Sequence, residues 1–542
     1  MSDLRSGVAP LPMAPASVAA ILDFGVSTRP RQEALVDARH RLDYEALDEL
    51  VASIGAGFTN RGLETGQRVA VSLPNSIHVV AAYLACMRTG LVFVGVHPGL
   101  APAEKQHLLQ QAQPDLVIGT GPIMETLRSS KGDHVVLDLS DPTVAELANK
   151  PVTRSSTPDP HAAAAIAFTS GTTGEPKGVV HDQHHMLLPA SVVLHHRLGG
   201  QGERIGVHLP LTTLNVLIVA PMLAFLGGGT CVCIERHEAV ELADTIERER
   251  IEHLSTSPAV VHDLLENCDV DPRRQLQHLR LGVGGASCPE QLRHDYAAEV
   301  GRTFTTGYGL TEAPSSVTQE SDQVPHRPGA SGIAMAHVDI EIVDESGRVV
   351  ESGVTGEITV AAAGSGRWAN CFRGLLSYHE QPDETARVLT GSRLRTGDLG
   401  SLDDDGYLYV ADRRTDMINR GGSKVSPVEV ERVLLQHPEV ADCIVVGRPS
   451  TRLGESVAAV VQGRVGSDLA IEDLRAHCAV SLARYKVPAD LVVVSELPRN
   501  SMGKVIRSVV RERLVEGLLE TDSENASRAG AGDMAPATVE GE

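Results

Sequence analysis

Seven lysines occur in this chain, at 105, 131, 150, 177, 424, 486 and 504, and three of them stand in glycine-rich surroundings. A lysine presents a compact point charge where an arginine presents a planar fork. In a chain that prefers arginine, Lys177, Lys424 and Lys504 therefore mark places that call for an ammonium. Lys177 closes the segment Phe168-Thr169-Ser170-Gly171-Thr172-Thr173-Gly174-Glu175-Pro176-Lys177-Gly178, which the apolar run Ala165–Phe168 leads into. Its glycines, serine and threonines offer many backbone N–H groups and hydroxyls at close range. Those donors suit a polyphosphate, and Lys177 adds a positive charge. The spacing GxxxxGK[ST] is not met, so the segment is not a Walker A loop.

Other segments carry chemistry of their own. Gly284-Gly285-Ala286 lacks bulk and would let a flat ring approach the backbone. A dinucleotide fingerprint is excluded there, because Ser287 stands where the third glycine of GxGxxG is required. Asp398, in Arg395-Thr-Gly-Asp398, is a carboxylate able to accept two hydroxyl hydrogen bonds at once, as a diol offers. Pro427, Glu429 and Glu431 follow the glycine pair Gly421-Gly422 and form good helix-start chemistry. Gly503-Lys504 alone reads as an exposed turn. His181, His184 and His185 are spaced to share one helical face, but no carboxylate or cysteine set accompanies them, and metal binding there is disfavoured.

These residues need a frame. From residue 67 short β-rich runs alternate with longer helical ones. Strands are predicted at 68–73, 91–96, 116–118, 204–209, 230–234, 254–256, 279–283 and 302–305, with helices at 76–87, 102–111, 214–226, 238–250 and 258–267. Such alternation implies parallel sheets covered by helices, with ligands at the carboxyl ends of the strands. From Gly332 the texture changes to alternating strands, 338–344 and 356–360, that predict a small antiparallel barrel. After Asp412 a compact α+β unit follows, with helices at 427–436 and 471–482 and strands at 441–446, 457–462 and 491–494. The expected division is 1–412, 413–520 as a mobile second domain, and a disordered tail at 521–542. The 542 residues exceed one core.

Composition narrows the function classes. The formal net charge of −22 argues against nucleic acid as a partner. No run of eighteen apolar residues occurs, and the N-terminus lacks the apolar stretch of a signal peptide. The eight cysteines are scattered without CxxC pairs, so reduced core thiols and a cytoplasmic location are expected.

The segment from Phe168 to His181 closely resembles the signature of the adenylate-forming superfamily, which includes acyl-CoA synthetases, peptide-synthetase adenylation domains and beetle luciferases. Tyr308-Gly-Leu-Thr-Glu312, Arg395-Thr-Gly-Asp398, Asn419-Arg-Gly-Gly-Ser-Lys424 and Asn500-Ser-Met-Gly-Lys504 follow in that family's order, over roughly residues 30 to 515. The resemblance implies that Thr169, Ser170, Gly171, Thr172, Thr173, Gly174 and Lys177 hold the ATP phosphates. It places adenine against Gly284, Gly285, Ala286, Gly307, Tyr308 and Gly309, and a phosphate on Thr311. Mg2+ falls to Glu312 with Thr172, and the ribose to Asp398 with Arg413. Gly421 and Gly422 would admit the pantetheine arm of coenzyme A, and Lys504 would be the catalytic lysine of adenylation. The acid pocket would include His181, Thr213, Asn215, Gly284 and Gly309.

Two positions depart from the pattern. Pro210-Leu-Thr-Thr213 replaces an aromatic-His pair that often gates the acid pocket, and Thr415 stands at the hinge, where Asp or Lys is common. No acidic residue lies between Pro210 and Ile234, so an amino-acid substrate, whose ammonium would need one, is disfavoured. The expected activity is ligation of a non-amino-acid, bulky carboxylic acid (aryl, alicyclic or a natural-product acid) to CoA through acyl-AMP. Transfer to a carrier protein, retention of only one half-reaction, a scaffold role and luciferase-type oxidation are the alternatives, and the chain is expected as a monomer or homodimer.

Overall fold

The computed structural model describes residues 8–518 apart from 13, 121–134, 139–157, 170–175, 197–201, 236–237, 267–274, 286–287, 322–323, 414–415, 421–422, 451–453, 465, 468 and 501–502. The chain divides into two compact units, Met1–Val410 and Ala411–Glu542. The predicted sites Ser170, Gly171, Thr172, Thr173, Gly174, Ala286, Thr415, Gly421 and Gly422, and the tail at 521–542, lie outside the described residues.

The first unit holds two seven-stranded sheets. In one, Glu33–Val36, Thr230–Cys233, Arg204–Val207, His253–Thr256, Arg280–Val283 and Thr305–Thr306 run parallel, and Arg41–Asp43 closes one edge antiparallel. In the other, Val135–Asp138, Leu116–Gly119, Arg68–Ser72, Val92–Gly95 and Ala163–Thr169 are parallel. The hairpin partner Lys177–Asp182 and the short strand Ser377–Tyr378 complete it antiparallel. Strands such as Val69-Ala70-Val71 are buried outright, as sheets covered on both faces require. A separate antiparallel sheet of Val338–Val343, Gly356–Ala362, Leu389–Thr390, Arg393–Leu402 and Leu408–Arg413 forms the half-barrel. The fold class read from the sequence is borne out.

Several elements differ in detail. The helix predicted over 214–226 is broken by a π turn, Ile218–Met222, that contains Pro221. Proline has no N–H for the regular ladder, and a wider turn accommodates it. The strand predicted at 302–305 is only Thr305–Thr306. The helix Tyr44–Asn60 lies before the alternation begins and went unread. Asp43 starts it by accepting from the Ala46 N–H at 2.8 Å.

The two large sheets meet at the carboxyl ends of their strands. Asn75 follows the strand Arg68–Ser72 and reaches into the other sheet's loops. Its Nδ2 donates to the carbonyls of Leu209 (2.9 Å) and Ile234 (3.2 Å), and its Oδ1 accepts from the Leu211 N–H at 2.8 Å. Gly95 ends the strand Val92–Gly95 where a Cβ would overlap the Thr212 carbonyl.

The second unit wraps its own core around Val440–Ser450, Gly454–Gly463 and Asp490–Val494, the last two parallel. Pro427–Leu434 and Ile471–Ser481 pack on this sheet through Val430, Leu434, Leu474 and Cys478, all fully buried. The Ser426 side chain caps the first helix by accepting from the Glu429 N–H. No described helix is long and apolar enough to cross a membrane.

Asn75→Ala removes three bonds to main-chain groups and should cost about 2 kcal/mol. Gly95→Ala forces the sheets apart and should cost about 3 kcal/mol. Each is expected to lower the first thermal transition by several degrees in scanning calorimetry. An unchanged transition would show that the sheets are not joined through these contacts.

Candidate active site

Thr169 pairs with Lys177 across the hairpin Ala163–Thr169/Lys177–Asp182, so the two residues that flank the glycine-rich connection lie side by side. Beside it runs Ser377–Tyr378, pairing with Val180 and Val179. A second hairpin, Gly309–Leu310 with Ala313–Ser316, turns through Thr311 and Glu312. The Tyr308–Glu312 segment thus runs through a short strand into the turn of this hairpin.

That turn is held from three directions. The His181 ring, fully buried on the Lys177–Asp182 strand, donates from Nε2 to the Thr311 carbonyl at 2.7 Å. The Glu312 carbonyl accepts from the Leu375 N–H at 2.8 Å. The Glu312 Oε1 accepts from the Tyr378 hydroxyl at 2.7 Å. Lys177 lies 5.5 Å from the centroid of the same Tyr378 ring and donates to Glu384 Oε2 at 2.7 Å. Lys177, Thr311 and Glu312, far apart in sequence, are thereby joined in one network.

The remaining predicted residues of this unit surround it in different ways. Asp398, nearly buried on Arg393–Leu402, accepts from the Tyr308 hydroxyl at 2.6 Å. Gly284 follows the strand Arg280–Val283, and an added Cβ there would meet open space. Packing among the described residues therefore does not demand glycine at 284, whereas Gly285 adopts φ +80°, which favours glycine. Gly307 is different, because a Cβ there would collide with the Thr318 carbonyl. Gly309 is exposed, and Thr213 and Asn215 are half-buried at the start of the short helix Leu214–Leu217.

In the second unit, Arg413 ends the strand Leu408–Arg413. Lys504 is exposed on a tight turn. Asn500 and Lys504 exchange backbone and side-chain bonds of 2.8 and 2.9 Å there, and Gly503 takes φ +75°.

The histidines correct one expectation. His181 lies on a strand and the helix begins at Gln183, so His181, His184 and His185 do not share a helical face. Instead Asp182, fully buried, gathers His185 (2.9 Å) and Arg373 (2.7 Å), with His161 at 3.6 Å. Burial alone would raise the Asp182 carboxyl, but the neighbouring His185, His161 and backbone donors hold it well below the carboxylate range. Burial pushes His181 and His184 down to about 4 and His337 to about 3.

Sequence reading missed Tyr378, Glu384, Arg373 and the buried pair His208–Thr256, whose side chains bond at 2.8 Å at the carboxyl ends of the first sheet. A signal did exist for Glu384: Pro382-Asp-Glu opens the helix Pro382–Val388 with proline and acids in its first turn.

Residues 23–367 match the family model described as AMP-binding enzyme, and residues 429–504 match that of the AMP-binding enzyme C-terminal domain. A sulfoacetate–CoA ligase of Cupriavidus necator is 30% identical over 87% of this chain and 92% of its own. A feruloyl-CoA synthase of Amycolatopsis sp is 30% identical over 87% of this chain and 94% of its own. Among solved structures, an o-succinylbenzoate CoA synthetase from Bacillus subtilis, in complex with its acyl-adenylate intermediate, superposes with a TM-score of 0.78. It is 25% identical and covers 91% of this chain and 97% of that one.

Two outcomes follow for these residues. Gly307→Ala should lower the melting temperature, while Gly284→Ala should leave it unchanged and weaken nucleotide binding; equal melting shifts would refute the distinction. The three depressed histidines bind protons more readily when unfolded. Their stability contribution is complete above about pH 6.5 and is lost as pH falls toward about 4, on the order of 2 kcal/mol for each by pH 5. His337→Leu should therefore shrink the fall in melting temperature between pH 7.5 and 5.

Proposed function

The chain belongs to the family of AMP-binding enzymes, and on that premise we propose that it is an acyl-CoA ligase that forms its thioester through an acyl-adenylate. The observation that carries the reading is the locked turn at Thr311–Glu312, tied by His181 and Tyr378 to the strand that begins with Lys177. A phosphate-binding segment and a carboxylate fixed at one place are what a metal–polyphosphate substrate requires.

In the first half-reaction the substrate carboxylate attacks the α-phosphorus of ATP, giving acyl-AMP and pyrophosphate. Thr169, Ser170, Gly171, Thr172, Thr173, Gly174 and Lys177 hold the phosphates, with Thr311 at the α-phosphate. Glu312 keeps one carboxylate oxygen beyond the one bonded to Tyr378, so it fits a hard cation; with Thr172 it would hold Mg2+, which supplies neutralisation of phosphate charge. Asp398 and Arg413 take the ribose, while Gly284, Gly285, Ala286, Gly307, Tyr308 and Gly309 line the adenine. Lys504 stabilises the negative charge that builds as pyrophosphate leaves.

In the second half-reaction the thiol of CoA displaces AMP, entering past Gly421 and Gly422 after the 413–520 domain moves about Thr415. The acid is uncharged beyond its carboxylate and bulky, aryl or alicyclic. Gly284, Gly309, Thr213 and Asn215 border its pocket, and His181 acts on it through the Thr311 main chain. The CoA-ligase names of the 30%-identical relatives support the thioester reaction, and the feruloyl-CoA synthase supports an aryl acid, whereas sulfoacetate is a small acid with a second charge.

The test separates the half-reactions. A panel of aryl, alicyclic and aliphatic acids is assayed for pyrophosphate release and for CoA thioester. Lys504→Ala should lower acyl-AMP formation at least about a hundredfold, yet still pass supplied acyl-AMP to CoA. Thioester formed only on a carrier protein would move the acceptor. Undiminished adenylation in Lys504→Ala would remove that lysine from the mechanism.

A further inference from the structure

Lys177 is not an open cation in this protein. Glu384 Oε2 binds its ammonium at 2.7 Å, and Glu384 Oε1 binds Arg387 at 2.8 Å. The Lys177 and Glu384 side chains are 19% and 24% exposed, whereas Arg387 is 68% exposed. The helix carrying Glu384 is fixed to the site, because the Tyr378 N–H donates to Thr385 Oγ1 at 2.8 Å. Tyr378 in turn lies beside Lys177 and bonds Glu312.

We infer that Glu384 is an exchangeable counter-charge for Lys177: a positioning residue that occupies the ammonium when no polyphosphate is bound and that weakens the hold on ATP and pyrophosphate alike. This rests on the proposed role of Lys177 as a phosphate ligand. The physical case is a competition. A phosphate reaching Lys177 either meets an ammonium already neutralised by a carboxylate or must displace that carboxylate. Either route subtracts from phosphate affinity.

Displacement is made cheap by what Glu384 falls back on. Arg387 holds its other oxygen, and the carboxylate lies in the first turn of the helix Pro382–Val388, where negative charge is favoured. The Lys177 hydrogen bond holds the Glu384 carboxyl below its ordinary range, so it is ionised at neutral pH and the counter-charge is present when ATP arrives. The subtraction is larger for pyrophosphate, whose charge is more concentrated, so the device favours release of that product.

Calorimetric titrations of MgATP and of pyrophosphate into the full chain test this. Glu384→Gln should bind ATP ~fivefold tighter and pyrophosphate tighter still, with a lower KM for ATP, stronger product inhibition and an unchanged KM for the acid. Arg387→Gln, which leaves Lys177 as the cation for Glu384 in this trio, should shift ATP affinity the opposite way. General damage to the fold would weaken binding in both variants. Unchanged or weaker ATP binding by a folded Glu384→Gln, with wild-type binding intact, overturns the inference. Failure of the wild-type chain to bind MgATP overturns the adenylation reading and this inference with it.

Discussion

Everything proposed for this chain depends on two parallel sheets ending at the same place, and Asn75 is the residue that brings them there. One amide satisfies two carbonyls and one N–H on loops of the other sheet. Buried main-chain groups must find partners, and here the partners come from across a sheet boundary. Gly95 permits the same approach by having no side chain. With the carboxyl ends brought together, the loops after the strands of the first sheet lie beside the second.

The second sheet contributes rigidity at its antiparallel edge. The hairpin, with Lys177 at its turn end, carries His181 four residues later, and Ser377–Tyr378 beside it carries the phenol that reaches Glu312. Charged groups in this network are few and their positions are over-determined. Tyr378 serves two partners with one ring, its hydroxyl to Glu312 and its face toward Lys177. On the roles proposed for Lys177 and Glu312, little conformational entropy is lost when a charged ligand arrives, because both groups are already fixed.

Much of this was legible in the sequence. Strand-helix alternation gave the two sheets, and the change of texture after Gly332 gave the half-barrel. The chemistry-bearing segments were visible because glycine, threonine and a rare lysine cluster at short spacing. Residues that act through tertiary pairing were not visible. Nothing local marks Tyr378, whose role comes from lying next to Val179 in a strand of two residues. Nothing in the sequence around Asp182 marks it, and only folding brings Arg373 and His161 to it. The histidine spacing misled because a 3.6-residue period was applied across a strand-to-helix boundary at residue 183.

The seam between the sheets is made from main-chain atoms of Leu209, Leu211, Thr212 and Ile234. Every amino acid carries those atoms. The side chain at 212, whose hydroxyl has no hydrogen-bond partner among the described residues, accordingly makes none of these bonds. The bonds that join the halves can then outlast a change of side chain along this seam, because they do not pass through the side chains of the loops.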